Sequence, residues 1–155
     1  MDHRGVERPG PSNHGDGVRM TIGFVGLSHL GIVSSVCAAA KGCDVVSYDP
    51  DSALCRRLAR GELPIAEPGL AELLSAHQER VRFTSDAAVL GGCSVVALSA
   101  DVPTDAQHRS DLSAIQRLLE PMLAHARPGA TLVILSQVPP GFTRSLREQL
   151  RRKPR

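Results

Sequence analysis

The sequence predicts an α/β fold in which helices cover both faces of a parallel β-sheet. From Met20 onward, short apolar runs of strand length alternate with longer segments whose apolar residues recur at helical spacing. Such alternation requires crossover connections, which almost always place parallel strands in one right-handed, doubly wound sheet. We therefore expect a Rossmann-type domain with strand order 3-2-1-4-5 and the first strand at the centre.

The first strand and helix open the predicted domain. The run TIGFVG is apolar and ends in glycine, as expected of a strand that is buried on both faces. A helix is predicted from about Leu30 to Lys41, and Gly42 can end it because glycine tolerates the left-handed conformation. The apolar stripe expected to face the sheet consists of Leu30, Val33, Cys37 and Ala40.

The next elements follow the same pattern. The second strand, DVVSYD, ends at Asp49, and either Asp51 or Ser52 can cap a helix that runs to Arg60. Another short helix follows the sequence EPG, and VRFT and SVVALS are the third and fourth strands. One face of that short helix is expected to carry Leu70, Leu73, Leu74 and His77.

The C-terminal part contains a long helix, a fifth strand and a last helix. Helical spacing extends from Leu112 to Ala126, and Pro121 predicts a kink or an early stop because proline lacks the amide hydrogen. TLVILS is the fifth strand, and PPGFTRSLREQLRR opens the last helix.

Length and composition indicate one domain. The 155 residues include 42% hydrophobic ones, which is enough for a core. Residues 1–19, rich in glycine, proline and polar side chains, are expected to be a disordered leader before a domain at 20–150 and a basic tail at 151–155. The net charge of +2 is too small to favour nucleic acid or a membrane surface. No apolar run approaches the roughly 20 residues that span a bilayer.

The four cysteines are Cys37, Cys43, Cys55 and Cys93, and they form no C-x-x-C pair. Histidines at metal-binding spacing do not accompany them, so a zinc site is not expected. Reduced thiols in a cytoplasmic protein are the simplest interpretation. Cys37, on the predicted buried stripe, is expected to behave as a small apolar side chain.

The stretch IGFVGLSHLG nearly matches the dinucleotide-binding pattern G-x-G-x-x-G. Gly26 permits the tight turn, Gly31 lets the helix approach the strand, and the amides at the helix start favour a pyrophosphate. Ser28 stands where the middle glycine belongs, so we expect weakened rather than abolished binding, although its hydroxyl can also donate to a phosphate oxygen. The alternative is that the two glycines serve close packing only.

Asp49 strengthens the cofactor interpretation. It ends the second strand about 20 residues beyond the glycine loop, where a carboxylate accepts hydrogen bonds from the adenosine ribose. A carboxylate there repels a 2′-phosphate, so NAD is favoured over NADP. The alternative is an aspartate that only starts the turn DPDS.

Further motifs follow in order along the chain: RGELPIAEPGLAELL, VRFTSD, DVPTD, SDLS and SQVPPGFTR. With the glycine loop and Asp49, they make the region from Met20 to about Arg147 resemble the N-terminal NAD-binding domain of the UDP-glucose/GDP-mannose dehydrogenase family. The resemblance implies two-domain enzymes that oxidise the C6 alcohol of a nucleotide sugar with two NAD and a cysteine thioester. It also implies that this chain ends before the sixth strand and before the catalytic cysteine, so no catalytic residue is assigned.

Carried over by position, the resemblance places a set of residues beside NAD. They belong to the glycine loop, the ribose carboxylate and the segments after the fourth and fifth strands. The set is Gly26, Ser28, His29, Leu30, Gly31, Asp49, Ser99, Ala100, Val102, Pro103, Ser136 and Gln137.

Several positions on the ligand side depart from the family pattern. Leu54 stands where the family has a basic residue beside the adenosine, and Val102 has lost a hydroxyl. Gln137 replaces a threonine that helps to hold a catalytic water or oxyanion, and Asp101 adds a negative charge near the phosphates. Together with Ser28, these departures suggest that the ligand-side positions are less constrained to bind the cofactor than the family pattern implies.

Three functions follow. The chain is the NAD-binding half of a nucleotide-sugar 6-dehydrogenase, completed by a second domain or another chain. Alternatively, it is a non-catalytic module that keeps NAD or another adenine nucleotide, or a structural or interaction unit that self-associates through the sheet edge and the last helix. In each case the chain alone is expected to lack dehydrogenase activity, to be cytoplasmic and to bind no nucleic acid or membrane.

Overall fold

The computed structural model describes residues 20–104, 106 and 110–152. The predicted leader at 1–19 and the last part of the predicted tail, 153–155, lie outside the described residues. No helix in the described part of the chain combines the length and apolar character needed to cross a bilayer.

The sheet has five parallel strands in the order β3-β2-β1-β4-β5. In the register of the sheet, Val25 lies beside both Tyr48 and Leu98, so the carboxyl ends of three neighbouring strands are level. This arrangement confirms the predicted doubly wound topology and brings three loops to one edge. The strands are β1 (Thr21–Val25), β2 (Asp44–Tyr48), β3 (Val81–Thr84), β4 (Val95–Leu98) and β5 (Thr131–Ile134).

Helices lie on both faces of the sheet. Asp51 caps the second helix, since its Oδ1 accepts hydrogen bonds from the amides of Ala53 and Leu54 at 2.8 and 3.0 Å. Gly42, with φ of +91°, follows the first helix as predicted. Short 3-10 turns at Gln78–Arg80 and Ala87–Gly92 were not predicted. The helices are α1 (His29–Ala40), α2 (Ser52–Ala59), α3 (Leu70–His77), α4 (Ser113–His125) and α5 (Phe142–Arg152).

The predicted inner face of α1 is wrong. Cys37 is exposed, and Leu30, Val33 and Ala40 are only half-buried. The first helix packs on the sheet and on α3 at once, and small side chains allow its close approach to the strands. The sequence is apolar almost all round this helix, so its periodicity did not single out the buried face, which consists of Gly31, Ile32, Ser35, Val36 and Ala39.

Pro121 does not end α4, which continues to His125. The early stop that proline predicts is therefore absent. Ile115, Leu118 and Met122 are buried on both sides of the proline, and their packing holds the helix across the hydrogen bond that Pro121 does not donate.

The core has a layer on each face of the sheet. One layer joins α4 to β1 and β4, and includes Leu98, Leu118 and Met122. The other joins α1, α2 and α3, and includes Val36, Leu58 and Leu74. These layers fix α1 and α4 on either side of the carboxyl ends of β1 and β4.

Candidate functional site

Gly26 makes the turn from β1 towards α1. Its φ is +94°, a left-handed value that favours glycine, and its amide donates to the Tyr48 carbonyl at 2.9 Å. A Cβ at this position would lie 2.9 Å from both the Ala100 Cβ and the Leu118 Cδ1. The turn therefore requires glycine both for its backbone conformation and for space.

Gly31 lies where the first turn of α1 presses against the end of β1. A Cβ there would collide with the Gly26 carbonyl oxygen and lie 3.0 Å from the Ser99 Oγ. The predicted close approach of helix and strand is confirmed. It brings the start of α1 directly to the carboxyl edge of the sheet.

The start of α1 presents main-chain donors. The amides of His29, Leu30 and Gly31 have no acceptor among the described residues, and the Ser28 side chain does not cap the helix. Their partial positive charge, reinforced by the helix dipole, attracts an anion such as a phosphate group.

The Ser28 hydroxyl connects two loops instead. Its Oγ accepts a hydrogen bond from the Asp101 amide at 2.8 Å and donates to the Ser99 carbonyl at 3.2 Å. The backbone of Ser28 is extended (φ −73°, ψ −172°), so serine adopts it without strain. This contact, the Ser28–Asp101 bridge, joins the glycine loop to the segment after β4.

The Asp49 carboxylate lies beside the glycine loop. Its Oδ2 accepts from the Leu27 amide at 2.8 Å, and its Oδ1 accepts from the Asp51 amide at 2.9 Å. Asp49 therefore orders the turn before α2, as the alternative interpretation proposed. Each carboxylate oxygen has a second lone pair, so the group keeps the capacity to accept ribose hydroxyls as well.

Two clefts open at this edge and share Ala100 and Asp101. The larger, of about 530 Å³, has Tyr48, Asp49 and Pro50 in its wall, together with α4 side chains that include Arg117. Burial, and then the nearby Asp49 carboxylate, raise the pKa of the Tyr48 phenol, which stays neutral. The smaller cleft, of about 390 Å³, is lined by residues that include His29, Leu30, Val102, Leu135 and Gln137.

Comparison with known proteins decides the family. The sequence model of the UDP-glucose/GDP-mannose dehydrogenase family, NAD binding domain, matches residues 20–155. The chain belongs to this family. The match is to the domain that binds NAD, which confirms the predicted family and the predicted cofactor class.

Relatives match most of this chain but a minor part of themselves. The UDP-glucose 6-dehydrogenase of Pseudomonas aeruginosa is 30% identical over 135 residues, which is 85% of this chain and 30% of that protein. The UDP-N-acetyl-D-mannosamine dehydrogenase of Methanococcus maripaludis is 29% identical over 143 residues, 90% of this chain and 34% of that protein. The chain thus spans about a third of the length of these relatives.

Solved structures of the family share the fold. The UDP-D-ManNAc dehydrogenase of Pyrococcus horikoshii matches with a TM-score of 0.78 and 27% identity, over 84% of this chain and 32% of that chain. The GDP-mannose dehydrogenase of Pseudomonas aeruginosa matches with a TM-score of 0.70 and 28% identity, over 82% and 30% respectively. The five-stranded domain is therefore the family fold over the matched region.

The structure places the family-derived residues at different depths. Gly26, Ser28, His29, Leu30, Asp49, Ala100, Val102 and Gln137 line one cleft or the other. Ser99 and Ser136 are buried, and their hydroxyls donate to the carbonyls of Gly26 at 3.0 Å and Leu98 at 3.3 Å. Pro103 is exposed and lines neither cleft. Contact of these residues with NAD stays a prediction.

Two features of the clefts were missed from the sequence. Arg117 lines the larger cleft, and the only available signal was its place one residue before the buried Leu118 on the α4 pattern. Glu67, in the EPG segment, reaches the His29 ring with Oε2 3.0 Å from Nε2. The EPG segment therefore contacts the start of α1 beside the smaller cleft.

None of the four cysteines lines either of these two clefts. Cys55 and Cys93 are buried, and that burial is the main cause of the raised pKa of both thiols. A thiol with a raised pKa stays protonated and is a poor nucleophile. Within the described ranges, no group of three or more His, Cys, Asp or Glu side chains is arranged to hold a metal ion.

Proposed function

We propose that the chain binds one NAD across the two clefts. The observation that carries this proposal is that the amides at the start of α1, which have no acceptor among the described residues, lie beside the Asp49 carboxylate at the end of the neighbouring strand. A dinucleotide needs a donor set for its pyrophosphate and an acceptor for its ribose hydroxyls, side by side. The edge of the sheet supplies both.

Each cleft suits one half of the cofactor. The larger cleft, beside Asp49, would hold the adenosine, and the amides of His29, Leu30 and Gly31 would bind the pyrophosphate. The smaller cleft would hold the nicotinamide, with Val102 and Leu135 as apolar walls that exclude water. When bound, NAD supplies a hydride acceptor.

The residues present fit this cofactor with one adjustment. The Ser28–Asp101 bridge lies between the clefts, on the path that the pyrophosphate would follow. On binding, the Ser28 hydroxyl would release the Asp101 amide, and that amide would become a further donor for the phosphates. The bridge therefore lowers the affinity for NAD without abolishing the binding site.

Oxidation of a nucleotide sugar is proposed only for a completed enzyme. The chain spans about a third of its relatives, and its cysteines lie outside the clefts. The catalytic thiol would therefore come from another domain or another chain. The chain alone is expected to form no NADH from UDP-glucose or GDP-mannose, as followed by NADH absorbance. Turnover above a no-enzyme control would contradict this division of labour.

A non-catalytic nucleotide-binding module is the second candidate. It is favoured by the Ser28–Asp101 bridge and by Gln137 at the position of the family threonine. In this case NAD binds, but no added catalytic domain restores turnover. A role through self-association without any nucleotide affinity would contradict both candidates. The unpaired thiols support a cytoplasmic location, which fractionation of the source cells can test.

Isothermal titration calorimetry of the chain with NAD tests the proposal directly. Saturable binding of one NAD, much weaker binding of NADP, and loss of affinity in Asp49→Ala are the expected results. Asp86→Ala is the matched control, because Asp86 caps a 3-10 turn away from both clefts. Absence of NAD binding, or equal loss in both variants, would contradict the assigned site.

A further inference from the structure

Arg117 is a cation of the larger cleft and has no hydrogen-bond partner among the described residues. It lies in the second turn of α4 and is exposed. Its guanidinium makes no hydrogen bond or ion pair with any described residue. It contributes only weakly, after the main-chain and side-chain hydrogen bonds from Ser113, to the lowered pKa of Asp111. The guanidinium is therefore available to a ligand.

The wall around Arg117 is largely apolar but carries two carboxylates. Leu27, Pro50, Ala114 and Leu118 provide apolar surface, whereas Asp49 and Asp101 provide negative charge. Among the described residues that line the cleft, Arg117 is the sole cation. The cleft therefore fits a flat, apolar part of a ligand best. A diol next to that part could donate hydrogen bonds to Asp49.

Leu54 stands where the family resemblance implies a basic residue beside the adenosine. Leu54 packs with the apolar cluster that joins α1, α2 and α3, and it does not line the larger cleft. Its amide is held by Asp51 at the start of α2. Leu54 therefore brings no positive charge to this cleft, whereas Arg117 of α4 does.

We propose that the Arg117 guanidinium stacks on the adenine of the bound nucleotide and takes over the adenosine contact that Leu54 lacks. This inference rests on the proposed NAD binding and adds a residue that the family motifs do not assign. Guanidinium is planar and weakly hydrated, so it binds an aromatic face better than an ammonium group does. Asp49 would hold the ribose of the same nucleoside.

The test compares Arg117→Lys, Arg117→Ala and the wild-type chain by calorimetry with NAD, ADP-ribose and NADP. Arg144→Ala is the matched control, since Arg144 is an exposed arginine of α5 that lines neither cleft. Because the contact is a stacked cation, both Arg117 variants should bind NAD and ADP-ribose about three- to tenfold more weakly. The control should bind as the wild type does. Circular dichroism melting confirms that all variants fold.

Three outcomes would overturn the inference while leaving NAD binding intact. If Arg117→Ala binds NAD as tightly as the wild type, the contact does not exist. If Arg117→Lys keeps full affinity, Arg117 acts as a point charge and not as a stacking plane. If Arg117→Ala impairs NADP far more than NAD, the residue serves a 2′-phosphate. A wild-type chain that binds no NAD would overturn the proposed function as well.

Discussion

Replacement of Ser28 by glycine or alanine separates the packing role of this residue from its effect on the cofactor. Both changes remove the hydroxyl that accepts from the Asp101 amide at 2.8 Å and donates to the Ser99 carbonyl at 3.2 Å. Ser28→Ala keeps the Cβ. Ser28→Gly removes the Cβ as well and so restores the middle glycine of the family pattern.

The hydrogen bonds set the expected change in stability. Each contributes about 0.5–1.5 kcal/mol net, and Asp101 is exposed, so water partly replaces the lost partner of its amide. Glycine adds about 0.5–1 kcal/mol of backbone entropy cost. We therefore expect the free energy of unfolding to fall by about 1–2 kcal/mol in Ser28→Ala and about 1.5–3 kcal/mol in Ser28→Gly.

The affinity for NAD should move in the opposite direction. In the wild type, NAD binding has to break the Ser28–Asp101 bridge, at a cost of about 1 kcal/mol. The variants lack the bridge, so they should bind NAD about fivefold more tightly. Ser28→Gly should gain most, because its Cβ is gone as well. A serine that served packing alone would lower stability and leave affinity unchanged.

Urea unfolding and calorimetric titration of the same preparations measure the two effects. Ser85→Gly is the control, an exposed loop serine that lines neither nucleotide cleft. Tighter NAD binding together with lower stability would show that the Ser28 hydroxyl supports the fold and obstructs the cofactor. Weaker NAD binding in both Ser28 variants would refute it, because the hydroxyl would then donate to a phosphate rather than obstruct one.

The remaining predictions concern the NAD-binding site, the packing of α1 on the sheet and the cysteine thiols. Asp49→Ala should weaken NAD binding by about 1–3 kcal/mol in calorimetry, because a charged acceptor of the ribose hydroxyls is lost; unchanged affinity would remove the ribose assignment. Gly31→Ala should lower the free energy of unfolding by about 3 kcal/mol in urea titrations, because the new Cβ meets a main-chain oxygen; a loss below about 1 kcal/mol would contradict the packing described. Iodoacetamide should label Cys37 well before Cys55 and Cys93, by mass spectrometry of the folded chain, because burial raises the pKa of the latter two. For the same reason stability should fall as the pH rises past the ordinary thiol pKa, where only the unfolded chain ionises freely, and thermal melts at increasing pH with buried-cysteine serine variants check this.

The topology could be predicted because every link in its derivation is local. Alternation of strand-like and helix-like segments is visible in short windows, and the handedness of crossovers fixes the order of the strands. Gly26 and Gly31 were assigned correctly for the same reason, since a tight turn and a close approach leave a glycine at fixed spacing.

Features that depend on distant parts of the chain could not be predicted. The Ser28–Asp101 bridge joins residues 73 positions apart, and no pattern in either segment announces it. Arg117 belongs to a helix whose apolar face was recognised, but the sequence does not say which edge of that face meets a cleft. The prediction of the buried face of α1 was wrong because nearly all sides of that helix are apolar. Packing against α3 determines which side is buried.

A titration of the isotopically labelled chain with NAD, followed by amide resonances in two-dimensional NMR, shows whether the dinucleotide binds at the carboxyl edge of the sheet. We predict that the largest shifts fall on the amides of His29, Leu30, Gly31 and Asp101, followed by those of the segment around Asp49. If saturating NAD leaves those resonances unchanged, or shifts the resonances of a different surface, the carboxyl edge is not the dinucleotide-binding site.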